Sequence, residues 1–203
     1  FKRRFAFQTS AAVNITYSRK LSQNLFRNYN PQTLRPYWAM VSGNLGTEYR
    51  MTVLKTIENF IESSSSCVKM EGGQQMKKDQ KVFFWSVGKS MLSIDQYFDL
   101  LRNSNFTLCL PGTYWTPRPF ESIACGSIPI LEEDYMHSYD IPFKDGVNCI
   151  SVGKTSHRYL WSKVLNRILR FSEERILEIR NNVHKLRETH LLPEVYVERQ
   201  IKR

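Results

Sequence analysis

No stretch of the 203-residue chain approaches the about 20 consecutive apolar residues that a membrane helix needs. Nothing at its start reads as a signal peptide, so any anchor or targeting segment is expected to lie outside this chain. The four cysteines, Cys67, Cys109, Cys125 and Cys149, form no Cys-x-x-Cys pair and have no histidine partner at metal spacing. A zinc site is therefore not expected, and no other metal site is read from the sequence; disulfide pairing is left open. The histidines His137, His157, His184 and His190 share no spacing that suggests ligation. There is no G-x-G-x-x-G fingerprint, no P-loop and no Asp-x-Asp pair, which removes the commonest sequence signals for dinucleotides, for NTPases and for metal-bound diphosphates. Acidic residues are also scarce. Lys and Arg outnumber Asp and Glu by 29 to 19, a net charge of +10, so the surface favours anionic partners.

Apolar residues are not scarce. At 41% hydrophobic and 13% aromatic, the composition excludes a disordered chain and supports a real core. The basic excess is shared between "FKRR" at the start and the last forty residues, where a solvated helix face accounts for it. Nucleic acid is not the expected partner. The aromatics fall inside apolar runs rather than alternating with Lys and Arg as a base-stacking platform requires. Two sequons, Asn14-Ile15-Thr16 and Asn105-Phe106-Thr107, are compatible with a secretory location.

Residues 1–36 lack periodicity and read as a connecting segment. From Tyr37 the texture changes. "YWAMVSG" predicts a strand, and "EYRMTVLKTIENFIES" a helix with Val53, Ile57, Phe60 and Ile61 on one face. "SSSSCVKMEGGQQMKKDQK" reads as a low-complexity loop. The alternation then repeats: strand "VFFWSV", helix "SIDQYFDLLRNS" capped at Ser93, strand "FTLCL", helix "PRPFESIAC", strand "SIPILEE", and a last strand "NCISVG". Two helices close the chain from about Ser156 to His190. Strands that are continuous apolar runs, alternating with helices, predict an α/β fold: a Rossmann-like, doubly wound parallel sheet covered on both faces. Its core is expected over 37–155, with C-terminal helices over 156–203.

Such sheets bind ligands at the carboxyl ends of their strands, where strand order reverses. Two turns stand there. In "TYWTPRPFESIACG", Thr116 is the expected N-cap, Pro117 the first helical residue and Gly126 the left-handed residue that ends the helix. A helix start attracts phosphate, but Pro117 and Pro119 each remove an amide, so a side chain must carry more of the charge. Arg118 offers a planar fork matched to phosphate oxygens. Glu121, three residues on, shares its helix face and suits ribose hydroxyls, although the same spacing equally fits a surface Arg-Glu pair. In the earlier turn, "VSGNLGTEYR", Gly43 and Gly46 allow close backbone approach, with Arg50 beyond. Tyr114 and Trp115 are candidates to stack on a base or wall a sugar.

The segments "RPYWAMVSGN" and "NSNFTLCLPGTYWTPRPFESIACGSIPILEED" resemble the carboxyl-terminal half of exostosin-like glycosyltransferases. That family carries a "Ser/Asp-x-Phe-x-Leu-Cys-Pro-x-Gly" strand, an Arg-x-x-Glu helix and a "Gly-Cys/Ser-Ile-Pro-Val" strand. The likeness runs from about Arg35 to Asp134; Thr116, Pro119 and the Leu-Pro-Gly order depart from the pattern. The resemblance implies the nucleotide-sugar half of a GT-B enzyme, with no cofactor beyond a UDP-sugar donor substrate. It implies that Arg118 and Arg50 face the diphosphate, that Glu121 binds ribose, and that Gly43 and Gly112 line the donor loops. It further implies inverting, metal-independent transfer to a glycan or glycoprotein acceptor, in the Golgi or ER lumen, by a type II membrane protein anchored outside this chain. Homo- and hetero-oligomers are both compatible with it. Glu132 and Asp134, expected at the end of the strand after "SIPIL" and facing the cleft, are candidates for the base, unless another domain supplies it. The competing class is a non-catalytic sugar-nucleotide or glycan-binding relative.

Overall fold

Apolar runs separated by helical spacing give, among the described residues, six strands in one parallel sheet. The computed structural model describes residues 23–43, 46–71, 80–88, 92–110, 116–137, 141–154 and 159–192. The strands are β1 (Tyr37–Gly43), β2 (Cys67–Met70), β3 (Lys81–Val87), β4 (Ser104–Leu108), β5 (Ile128–Leu131) and β6 (Ile150–Ser151). Between and after them run α1 (Glu48–Ser63), α2 (Ile94–Arg102), α3 (Arg118–Ala124), α4 (Glu133–Met136), α5 (Tyr159–Leu169) and α6 (Glu173–His190). The order across the sheet is β2-β3-β1-β4-β5-β6. This is the Rossmann-like doubly wound arrangement that the alternation predicts.

The pleat divides the core. Ala39 and Val41 of β1 belong with Val53 and Ile57 of α1 and Trp161 and Leu165 of α5 in the main cluster. Met40, between them in sequence, points into a second cluster with Phe98 and Leu101 of α2 and Ala124 and Cys125 around α3. Alternate residues of one strand therefore serve helices on opposite faces, which is why the strand reads as an unbroken apolar run. The register supports this. Ala39 lies opposite Phe83 and Val41 opposite Trp85, while Phe106 pairs with Ile128 on the other side.

Helix signals read from sequence hold at α2. The Ser93 hydroxyl accepts from the Gln96 amide, and the Gln96 side chain accepts from the Ser93 amide, a complete capping box. In α1, Val53, Leu54, Ile57 and Ile61 are buried, and Thr47 caps its start by accepting from the Arg50 amide.

Several expectations are corrected. The loop read over 63–81 contains a strand, β2, because Cys67–Met70 pairs in register with Lys81–Phe84. It is short and half-exposed, so no apolar period marks it; pairing with β3 and the Lys69 bonds to Glu58 and Glu71 make it a strand. The last strand shrinks to Ile150–Ser151. The acidic run after β5 is not a strand end. Glu132 is the extended N-cap of α4, and Glu133 and Asp134 occupy its first turn, where negative charge is favoured. The N-cap of α3 is Pro117 rather than Thr116, whose hydroxyl accepts from the Arg118 amide at 3.5 Å. The Pro117 carbonyl accepts from the Phe120 and Glu121 amides, the first helical bonds, so the helix start falls one residue later than the sequence suggests although Pro117 is itself in helical dihedrals (φ −71°, ψ −12°).

The described part of the opening segment is packed against the sheet. Leu25 is buried with Phe98 and Leu101. Arg35 donates to the carbonyls of Leu101, Ser104 and Cys125, tying together the ends of α2 and α3 and the start of β4. The Tyr29 ring lies beneath the guanidiniums of Arg35 and Arg187. Gly126 (φ +73°) closes α3 against that ring, and a Cβ there would overlap it, so glycine is needed for backbone and space alike. All four cysteines are buried free thiols. Asn105, in the second sequon, is buried in β4 with its amide on the Tyr37 carbonyl, so it is closed to glycosylation in the folded protein. Asn14 lies outside the described residues. No described helix is long and apolar enough to cross a membrane.

Candidate functional site

The chain leaves β1 toward α1 and the β2–β3 side, then returns past β1 to enter β4. The carboxyl ends of β1 and β4 thus flank the point where the sheet changes direction, and the connections part there to leave a crevice. Gly43 ends β1 with φ +142°, and Leu110 follows β4.

Two arginines meet at this point. Arg118 stands at the first position of α3 and donates from Nη1 to the Ser42 carbonyl at the end of β1. Arg50, in the first turn of α1, donates from Nη2 to the Leu110 carbonyl beyond β4 at 3.3 Å. Each arginine crosses to the strand opposite its own helix. Their guanidiniums converge on Gly43, where a Cβ would lie 3.3 Å from Arg118 Nη1 and 3.7 Å from Arg50 Nη1. Only a residue without a side chain leaves that floor open. Burial, and then the Arg118 charge, push the Arg50 pKa down. Two cations held side by side repel each other, and an anion placed between them removes that cost. The Ser42 hydroxyl, buried beside them, has no hydrogen-bond partner among the described residues.

Glu121 lies one turn into α3 and is buried, 6% exposed. Tyr97 of α2 connects it to Arg118: the Tyr97 hydroxyl donates to Glu121 Oε2 at 2.7 Å and accepts from Arg118 Nε at 3.4 Å. Burial and the Glu121 carboxylate raise the Tyr97 pKa, so the phenol keeps its proton and remains a donor. The shared helix face of Arg118 and Glu121 is therefore organised through a tyrosine from another helix.

Glu132 is buried after β5, with Oε1 accepting from the Tyr49 hydroxyl at 2.5 Å and Oε2 without a partner among the described residues. Tyr49 precedes Arg50 on α1, so this bond ties the β5 end to the helix that carries the arginine. Burial and the bond to Glu132 raise the Tyr49 pKa. Asp134 is exposed on α4, and its neighbour Tyr135 lies close enough to bear on the Arg50 charge. Gly112, Tyr114 and Trp115 lie outside the described residues.

The structure thus brings Gly43, Arg50, Arg118 and Glu121 to one end of the sheet. Sequence reasoning missed Tyr97, Tyr49 and Ser42. Ser42 had a signal, since it adjoins the turn glycine; Tyr97 and Tyr49 sit at unremarkable helix positions and reach the site only through packing.

The exostosin GT47 domain matches residues 7–151 of the chain. No curated protein matches it. Among solved structures it is similar to Spinosyn Forosaminyltransferase SpnP at 12% identity and a TM-score of 0.43, over 92% of this chain and 46% of that one. The chain therefore spans about half the length of that structure.

Proposed function

We propose that this chain, which belongs to the exostosin GT47 family, is the donor-binding half of a two-domain GT-B glycosyltransferase that takes a UDP-sugar and transfers the sugar, with inversion, to a hydroxyl of a glycan or glycoprotein acceptor. The observation that carries the reading is the convergence of Arg50 and Arg118 on Gly43 at the switch point of the sheet. In this reading the diphosphate sits over Gly43 between the two guanidiniums, with the Ser42 hydroxyl as a further donor. Glu121, oriented by Tyr97, accepts from the ribose hydroxyls.

The chemistry follows from those roles. The acceptor oxygen attacks the anomeric carbon from the face opposite the diphosphate. The bond to UDP breaks with its electron pair passing to the diphosphate, and the acceptor proton goes to a base. Negative charge grows on the leaving oxygen, where two fixed guanidiniums stabilise it without reorganising. No divalent ion is needed for that charge, so transfer by the complete enzyme is expected to survive excess EDTA. Of the two carboxylates offered as base, Glu132 is engaged by Tyr49, which suits it to support the Arg50 helix. Asp134, exposed on α4, is the one an acceptor can reach within this chain, and the second domain completes the acceptor side.

Within the family, "SNFTLCLPG" and "CGSIPILEED" resemble the corresponding motifs of ribitol xylosyltransferase, which makes UDP-xylose the first donor to try. The family setting supports a Golgi or ER lumenal location, with the anchor outside this chain. Calorimetric titration of UDP tests the reading. Arg50→Ala, Arg118→Ala and Glu121→Ala should each weaken binding by about 1.5–3 kcal/mol, the scale of a charged hydrogen bond. Unchanged affinity in folded Arg50→Ala and Arg118→Ala proteins would remove it.

A further inference from the structure

At the opposite end of the sheet, where β1, β3 and β4 begin, a cavity of about 190 Å³ lies between the strand starts and α6. That is more than ten times the about 10–15 Å³ that one water needs. Its lining is rich in donors. Arg180 of α6 is 2% exposed, and its Nε and Nη2 are buried without a hydrogen-bond partner among the described residues. It makes no ion pair with any described carboxylate. Arg35 lines the same cavity; its two Nη atoms are spent on backbone carbonyls, but its Nε is buried and unpartnered. Trp38 is 7% exposed, and its buried indole N–H is likewise without an acceptor among the described residues. Lys81 adds a third positive charge, held over the Trp38 ring at 3.8 Å. The carboxylate on the lining, Glu173, stands exposed at the first position of α6.

A buried guanidinium with no partner is costly, because water has been removed and nothing replaces it. Here two arginines, an indole and a lysine all line one space, and the repulsion between the two guanidiniums is visible in Arg35, whose pKa burial and then the Arg180 charge lower. Gln80 Oε1 is the lone unpartnered acceptor among these atoms. We propose that this cavity is an anion site, distinct from the donor crevice, in which Arg180, Arg35 Nε, the Trp38 indole N–H and Lys81 bind a small oxyanion of carboxylate, sulfate or phosphate type. Arg180 is its central residue, since two of its three guanidinium nitrogens are buried with no partner among the described residues. The apolar lining from Trp38, Ile176 and Leu177 accommodates a short carbon body behind the charged group.

The test uses the full chain at constant ionic strength, with sulfate, phosphate or glucuronate replacing chloride, and follows the Trp38 indole N–H resonance, identified by its loss in Trp38→Phe. A saturable shift is expected for at least one of the three. Preference for sulfate or phosphate assigns an ester-type anion, and preference for glucuronate a sugar carboxylate. Arg180→Met should weaken that binding roughly tenfold or more, the scale of one lost charge-assisted contact, while Arg118→Ala leaves it in place. If Arg180→Met does not fold, Lys81→Met at the cavity mouth should weaken binding severalfold. No saturable shift with any anion, or full binding by a folded Arg180→Met protein, overturns the assignment.

Discussion

The Arg118 guanidinium lies against Gly43, so close that a methyl group on that glycine would sit 3.3 Å from Nη1. The contact joins the first residue of α3 to the last of β1 and fixes where the positive charge of the crevice stands. Gly43→Ala would press on Arg118, touch Arg50 only at van der Waals distance, and strain a backbone at φ +142°. UDP binding should weaken about tenfold, with a stability loss of about 1–3 kcal/mol. Titration at a temperature where the variant is fully folded checks this; wild-type affinity would show that the guanidiniums do not depend on the open floor.

Tyr97→Phe removes the hydroxyl that donates to Glu121 and accepts from Arg118. A buried carboxylate losing one donor should cost about 1–3 kcal/mol in chemical denaturation. If Glu121 holds ribose, UDP and uridine should bind the variant more weakly while pyrophosphate binding changes little. Equal loss for pyrophosphate would place the effect on Arg118 instead.

Gly126→Ala should be among the more damaging single-methyl changes, because the new Cβ meets the Tyr29 ring at a backbone φ of +73°. A loss of about 2–4 kcal/mol is expected from strain and overpacking combined. Pairing it with Tyr29→Leu should recover part of that loss. A variant as stable as wild type would mean that the opening segment is not held against α3.

Stability should fall in alkali. Burial pushes the thiols of Cys109, Cys125 and Cys149 up to about 12 from an ordinary 9, and the Tyr29 phenol up to about 12 from 10. Groups whose folded pKa is raised hold their protons more tightly in the native state, so their contribution is complete below the unfolded value and is lost as pH rises through the folded one. The urea midpoint should therefore drop between pH 9 and pH 12, and drop less steeply in Cys125→Ala. A flat profile to pH 11 would show that these groups are not excluded from water.

The candidate site was legible in proportion to how local its signals are. Arg118, Glu121 and Gly126 stand in one helix and its cap, and Gly43 and Arg50 in one strand-to-helix turn, so residue type and spacing were enough to single them out. The alternation of continuous apolar runs with helical periods likewise determined a parallel α/β sheet, because strands buried on both faces must be apolar throughout.

What only the tertiary structure decided depends on residues distant in sequence. β2 exists because β3 offers it a partner, and a four-residue edge strand is too short to carry a period of its own. Tyr97 reaches Glu121 from 24 residues away, and Tyr49 reaches Glu132 from 83, each through the packing of one element on another. The crossing of Arg50 to the β4 end and of Arg118 to the β1 end, which makes one positive site out of two separate turns, follows from the reversal of strand order at β1. Arg180 shows the same division: its place on a helix was readable, but its burial without a counter-charge is a property of the assembled cavity. Local propensity fixes which residues share a turn or a face, whereas contacts between elements are set by the global packing that minimises exposed apolar surface.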